Sequence, residues 1–262
     1  MCKVLQVNRS TYYYESRPRP VEPSVEAAVV KIFVDNRRVY GTRKIKVELR
    51  KLGMMVSRRR IGKVMKRNGL VSSYTVAQYK VHQSTCNEDN VPNKLNRQFQ
   101  TNIPLEAVVS DLTYVRVAGK WNYICLLIDL FNREIIGHSC GPAKDANLVY
   151  RAFAKVKGNL NNIQLFHTDR GREFKNKLID EVIQTFQIKR SLSMKGCPYD
   201  NAVSEATYKL VKSEFVKNRQ FYNLEQLKRE LDDYVRWFNQ KRIHSTLGYL
   251  TPSQYKSLNK IV

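Results

Sequence analysis

From about Glu106 the pattern of the chain changes to short apolar, β-rich runs broken by turn residues. The runs AVVSDLTYVRV, WNYICLLIDLF and EIIGHSCG are rich in β-branched and aromatic residues and are separated by the turn-forming AGK and NR. This pattern predicts a three-strand antiparallel meander. Next, DANLVYRAFAKVKGN has helical spacing, with Asp145 placed to cap it. IQLFHTD reads as a short apolar strand ending in a turn, and REFKNKLIDEVIQTFQ as an amphipathic helix. IKRSLSM is another strand, and KGCPYDNAVSEATYKLVK is a turn-rich loop opening into a helix. The order β-β-β-α-β-α-β-α implies an α/β fold, a mixed sheet flanked by helices. Leu224, Leu227, Leu231, Tyr234 and Phe238 mark the core-facing stripe of a long closing helix.

The first hundred residues follow a helical pattern instead. VEAAVVKIFVDN reads as a helix; Thr42 is placed to cap RKIKVELRKLG, which Gly53 ends, and Ser57 to cap RRRIGKVMKRNG. Ile45, Leu49 and Leu52 form one apolar stripe, and Ile61, Val64 and Met65 another. Two short helices joined by a glycine turn suggest a helix-turn-helix whose second helix presents Arg58, Arg59, Arg60, Lys63 and Arg67. The expected organisation is an irregular arm over 1–23, the helix-turn-helix-like domain over 24–71 and a linker over 72–103. A core over 104–222 and a helical extension over 223–262 complete it.

Charge adds a partner to this picture. With 46 Lys plus Arg against 23 Asp plus Glu, the net charge is +23, and Arg37–Arg67 holds 13 basic residues and one acid, Glu48. Such an excess repels itself in a compact chain, so a polyanion is its natural complement. Nucleic acid leads, and an anionic membrane surface is the runner-up. A solvated face on a helical bundle is the plainer reading of the basic helix. The longest apolar run, YICLLI, is far too short to span a bilayer, and the N-terminus lacks a secretory pattern. Five scattered cysteines without a C-x-x-C pair argue against disulfides or a thiolate zinc site. A reduced, cytoplasmic, nucleoid-associated chain is expected, with no membrane partner.

Three acids stand out in this basic chain. Asp111 interrupts the strand VVSDLTYV, where a carboxylate is costly unless paired or bound to a cation. Asp169 ends an apolar strand, a favoured ligand position in α/β sheets, although Asp-Arg-Gly is also an ordinary turn. Glu205 lies early in the helix after the loop, with Lys209 and Lys212 near it on the same side. A solvated Glu-to-Lys pair is the simpler reading of that side. As a cluster, the acids suit Mg²⁺ or Mn²⁺, and two such ions about 4 Å apart support in-line phosphoryl transfer.

SDLTYV, HTDRGREF and KGCPYDNAVSEATYKLVKSE resemble the three catalytic blocks of bacterial insertion-sequence transposases, which have an Asp-Asp-Glu triad on a ribonuclease-H-like, integrase-type core. Thirty-five residues separate Asp169 from Glu205, the family's spacing, and Lys212 stands at its basic position seven residues on. The tail WFNQKRIHSTLGYLTPSQY and the basic helix pair are similar to further family blocks. The resemblance implies that Asp111, Asp169 and Glu205 are catalytic and bind two Mg²⁺ or Mn²⁺ ions. It places Lys212 against DNA near the cleaved end, while Lys209, close to Glu205 on the helix, is expected to neutralise phosphate charge with it. It implies 3′-end cleavage of an element and strand transfer of the freed 3′-hydroxyl, on double-stranded element and target DNA. A homo-oligomer is implied, as is an upstream-frame helix-turn-helix partner for this downstream-frame product. His167, Gly171, Asn201 and Pro198 match positions that shape the site. The threonine-tyrosine pair after Glu205 and the position of Cys197 depart from the usual pattern, and His82 with Cys86 does not make the zinc module of retroviral integrases. A hydrolytic nuclease and a non-catalytic DNA-binding regulator are the alternatives.

Overall fold

The computed structural model describes residues 2–15, 23–75, 92–194, 197–217 and 219–259. His82, Cys86 and half of the expected linker, residues 76–91, lie outside them. The helices are α1 Arg9–Tyr12, α2 Pro23–Asp35, α3 Thr42–Lys51, α4 Arg58–Arg67, α5 Ala146–Ala154, α6 Lys177–Thr185, α7 Ala202–Val211, α8 Leu224–Gln240 and α9 Pro252–Leu258. The strands are β1 Ala107–Val117, β2 Lys120–Asp129, β3 Ile135–Gly141, β4 Leu165–Thr168 and β5 Lys189–Leu192. They form one sheet in the order β3-β2-β1-β4-β5. The first three pair antiparallel, as the meander pattern implies, while β4 runs parallel to β1 and β5 parallel to β4.

Strand alternation sends apolar side chains to both faces of the sheet. Val109, Val115, Ile124 and Leu126 point to the face covered by α7 and α8, through Tyr208, Leu231 and Phe238. Val108, Cys125 and Leu127 point to the opposite face, against Leu148 of α5 and Ile179 of α6. The helix-turn-helix contributes Ile45, Leu49, Ile61 and Val64 to the first of these clusters, so it shares a core with the sheet.

Local chemistry sets the ends of the basic helices. After α3, Gly53 adopts φ +75° while its N–H bonds to Arg50 O and that of Met54 bonds to Leu49 O. After α4, Gly69 at φ +62° and Leu70 repeat the arrangement with Lys66 O and Met65 O. Both helices therefore close in a Schellman motif, which requires a left-handed residue. Ser57 caps α4 through Arg60 N at 3.2 Å. Two expectations fail here. Thr42 does not cap α3: the cap is Gly41 in extended conformation, and Thr42 is already the first helical residue. Leu52 leaves the apolar stripe and is 61% exposed, because the helix ends one residue before it.

Candidate active site at the centre of the sheet

Asp111 lies mid-β1, opposite Leu126 of β2, and its Oδ1 accepts a hydrogen bond from Leu112 N at 2.7 Å. Asp169 follows the C-terminal end of β4, the strand beside β1, and its Oδ1 accepts from Gly171 N at 3.0 Å. Adjacent parallel strands thus bring the two aspartates to one end of the sheet. Burial, followed by the Asp169 charge, pushes the Asp111 carboxyl up to about 8, with Glu205 adding to the repulsion. Burial, together with the charge of Glu173, also raises Asp169 above its usual range. Two desolvated carboxylates held in mutual repulsion fit a divalent cation, whose charge relieves both terms. Among the described residues, no three His, Cys, Asp or Glu side chains are close enough to hold one ion jointly. Glu205 is half-buried in the first turn of α7 and acts on Asp111 through its charge.

Lys144, which has no distinctive sequence signal in so basic a chain, is a cation facing this pair. Its Nζ bonds Glu173 Oε1 at 2.9 Å, with the Glu173 side chain 6% exposed. Burial draws Lys144 down, but Glu173, Asp169 and Asp111 together hold it above its ordinary value. A Cβ at Gly171 would stand 2.4 Å from the Glu173 carboxylate, so any larger residue obliges Glu173 to shift from its place in the pair. Gly171→Ala is accordingly expected to cost about 1–3 kcal/mol by overpacking, seen as a lower Tm. An unchanged Tm would show that Glu173 swings aside freely.

Tyr208 joins α7 to the strand that carries Asp111. Its hydroxyl donates to the Asp111 carbonyl and accepts from Leu126 N at 2.7 Å, bridging two residues paired across β1 and β2. It lies one helical turn beyond Glu205, so the anchor and the carboxylate share a side of α7. A π-helical turn, Lys212–Val216, continues this helix, and irregular turns of this kind concentrate at functional sites. Lys212 opens it with Nζ 4.1 Å from the centroid of the Tyr114 ring. Burial lowers Lys212 below the usual lysine range, offset in part by Tyr114 and Asp111. Lys209 is exposed on α7.

His167 is structural. Ser191 Oγ accepts from Lys94 N and Leu95 N at 2.9 and 3.2 Å, which leaves its own proton for His167 Nδ1 at 2.8 Å. Nε2–H then donates to Asp200 O at 3.0 Å. Burial pushes this imidazole down to about 4, so it stays neutral and ties β4, β5 and the loop before α7 together. Asp200 extends the tie by accepting from Arg97 Nε at 2.7 Å and Met194 N at 3.0 Å.

The basic residues of the helix-turn-helix sit apart from the acids, on α4. Arg58, Arg59 and Lys63 are exposed, and Arg60 is half-buried. Arg67 is exposed but already paired with Glu26 at 3.2 Å. Lys66, absent from the expected set, is exposed on the same helix.

Comparison with known proteins agrees with this architecture. Integrase core domain models match residues 101–198 and 205–259, and an HTH-like domain model matches 22–78. The transposase InsK assigned to insertion sequence element IS150 of Escherichia coli K12 is 29% identical, over 98% of this chain and 92% of its own. The transposase for insertion sequence element IS904 of Lactococcus lactis is 28% identical, over 92% and 98% respectively. A cryo-EM structure of the simian T-cell lymphotropic virus intasome, in complex with a PP2A regulatory subunit, superposes with a TM-score of 0.52. It is 10% identical and covers 87% of this chain and 73% of that one, a likeness of fold. The chain therefore carries an integrase core of the DDE polynucleotidyl transferase type together with an HTH-like domain, and it is similar over nearly its whole length to insertion-sequence transposases.

Proposed function

We propose that the chain cleaves the 3′ ends of its DNA element and joins the freed 3′-hydroxyl to target DNA, using Asp111, Asp169 and Glu205. The observation that carries this reading is the repulsive pair of buried aspartates at the sheet end, with Glu205 close enough to add to it. A bound divalent cation relieves such a pair while keeping both carboxylates ionised, and hard carboxylate oxygens select Mg²⁺ or Mn²⁺. Two such ions, when bound, polarise the scissile phosphate and lower the pKa of an attacking water.

The protein's own groups supply position and charge. Asp111 and Asp169 hold their places on rigid strands, and Glu205 approaches on a helix pinned by Tyr208. Lys212 lies beside the site to neutralise phosphate, and Lys144 keeps Glu173 off the aspartates by pairing with it. In the first step water attacks phosphorus and the 3′-oxygen leaves as the free hydroxyl. In the second step that hydroxyl attacks a target phosphodiester in line, with another 3′-oxygen leaving. Arg58, Arg59, Arg60 and Lys63 on α4, with Arg67 and Lys209, add sequence-independent affinity through phosphates. Synapsis of two ends calls for a homo-oligomer, and an upstream-frame helix-turn-helix protein would supply end recognition. The work takes place on cytoplasmic, nucleoid-borne DNA. Among the described residues no helix is long and apolar enough to cross a membrane.

The test is a strand-transfer assay. The full chain, with and without the upstream-frame protein, is incubated with labelled element-end duplex, target DNA and Mg²⁺ or Mn²⁺. Joined products are the expected result. Cleavage alone would point to a nuclease, and binding without either reaction to a regulator.

A further inference from the structure

The β1–β2 hairpin carries a feature that phosphoryl transfer does not use. Its two turn residues, Ala118 and Gly119, both have positive φ, and the strands beyond them place Arg116 opposite Trp121. The Arg116 guanidinium lies over the indole at 4.8 Å from the ring centroid. Tyr114 meets Trp121 edge-on, with centroids 5.0 Å apart and planes at 88°. Lys212 in turn lies over Tyr114. Two touching rings, flanked by a cation at either end, thus run from the hairpin tip inward to Lys212, which feels the charge of Asp111. Despite these contacts Trp121 remains 50% exposed, and Lys120 and Arg116 beside it are exposed as well.

We infer that Trp121 is a stacking platform for an unpaired nucleobase at a DNA end, seated beside the phosphodiester that is cut or joined. A half-open indole offers a π-face to any base, and the lysines and arginine around it match the phosphates on either side of that base. A base inside an intact duplex is covered on both faces by its neighbours, so the platform selects unpaired nucleotides. The site rests on the reading of the chain as a DNA-processing enzyme, but its test reads binding alone and needs neither metal nor product.

Trp121 and Trp237 are the two tryptophans of the sequence, and Trp237 is buried. Emission that responds to DNA therefore reports Trp121. The full chain is titrated in EDTA with a duplex bearing a five-nucleotide thymine tail, and with the same duplex blunt-ended. Stronger quenching by the tailed duplex is expected. The affinity preference for tailed over blunt DNA is expected to fall about tenfold in Trp121→Ala and to be largely restored in Trp121→Phe. Equal quenching by the two duplexes, or a preference unaffected by Trp121→Ala, would overturn the proposal. Should Trp121→Ala fail to fold, the quenching comparison in the unaltered protein decides it.

Discussion

Asp111→Asn and Asp169→Asn are each expected to lower strand transfer by about a thousandfold or more while leaving the fold as stable as before or more so. The two halves of this result have one cause. Each substitution keeps the shape of the side chain and removes a charge that is buried and repelled in the folded protein. Folding loses an unfavourable term, and chemistry loses a ligand, which is the trade expected of a site that stores electrostatic strain for function. Glu205→Gln is expected to abolish activity in the same way, with a smaller change in Tm because the residue is half-buried. DNA affinity in EDTA should change little in all three variants, because phosphate contacts come from lysine and arginine. Strand-transfer rates, thermal melts and gel-shift affinities on the same preparations check every part. Near-normal activity in any one variant would remove that residue from the catalytic set.

The second large effect comes from an ion pair outside the three acids. Glu214, in the π-helical turn after α7, is fully buried against Arg242, whose side chain is 4% exposed. Arg242 Nε bonds both carboxylate oxygens at 3.0 and 2.9 Å, and Nη2 bonds Oε1 at 2.7 Å. Tyr234 donates to Oε2 at 3.0 Å, and Tyr74, just beyond the helix-turn-helix, donates to Oε1. The ion pair therefore fastens three regions at one point: the helix-turn-helix side, the helix that carries Glu205 and Lys212, and the C-terminal extension. Tyr40 reinforces it by accepting from Ile243 N at 2.9 Å. Burial, then the Arg242 charge, lowers the nearby Lys44 to about 7 and His244 to about 2, so His244 meets the guanidinium as a neutral ring.

Glu214→Gln leaves the Arg242 charge without its partner. The expected loss is about 3–5 kcal/mol, a fall in Tm on the order of 10 °C. Arg242→Met should cost a similar amount by stranding the glutamate. The double variant Glu214→Leu/Arg242→Met should recover part of the loss, since a buried pair is dearer to break than to replace. Recovery stays partial because the hydroxyls of Tyr74 and Tyr234 lose their acceptor. Thermal denaturation of the three variants measures this, and additive losses in the double variant would contradict it.

Much of this organisation is legible in the residue pattern, for identifiable reasons. Runs rich in β-branched and aromatic residues, separated by short turns, revealed β1 to β3; the runs are near-continuous because both faces of the sheet are buried by different helices. Asp111 stood out since a carboxylate inside an apolar strand violates that pattern. What escaped was set by tertiary contacts. Leu52 fits a helical stripe by spacing, yet one residue of helix decides whether it packs. Glu214 carries no distinctive sequence signal, and only its contact with Arg242, 28 positions later, makes it part of the core. Lys144 is one lysine among many until the fold sets it against Glu173. Tyr208 looked like a departure from a familiar block, whereas its hydroxyl joins the helix of Glu205 to the strand of Asp111.

The central claim is that Asp111, Asp169 and Glu205 hold divalent ions at the end of the sheet. Anomalous diffraction from Mn²⁺-soaked crystals of the full chain bound to element-end DNA tests this most directly. The account requires anomalous peaks between the Asp111 and Asp169 carboxylates, with Glu205 turned in as a ligand, and their loss in Asp169→Asn. Peaks elsewhere on the protein, with the aspartate pair bare in crystals that hold both DNA and Mn²⁺, would contradict it.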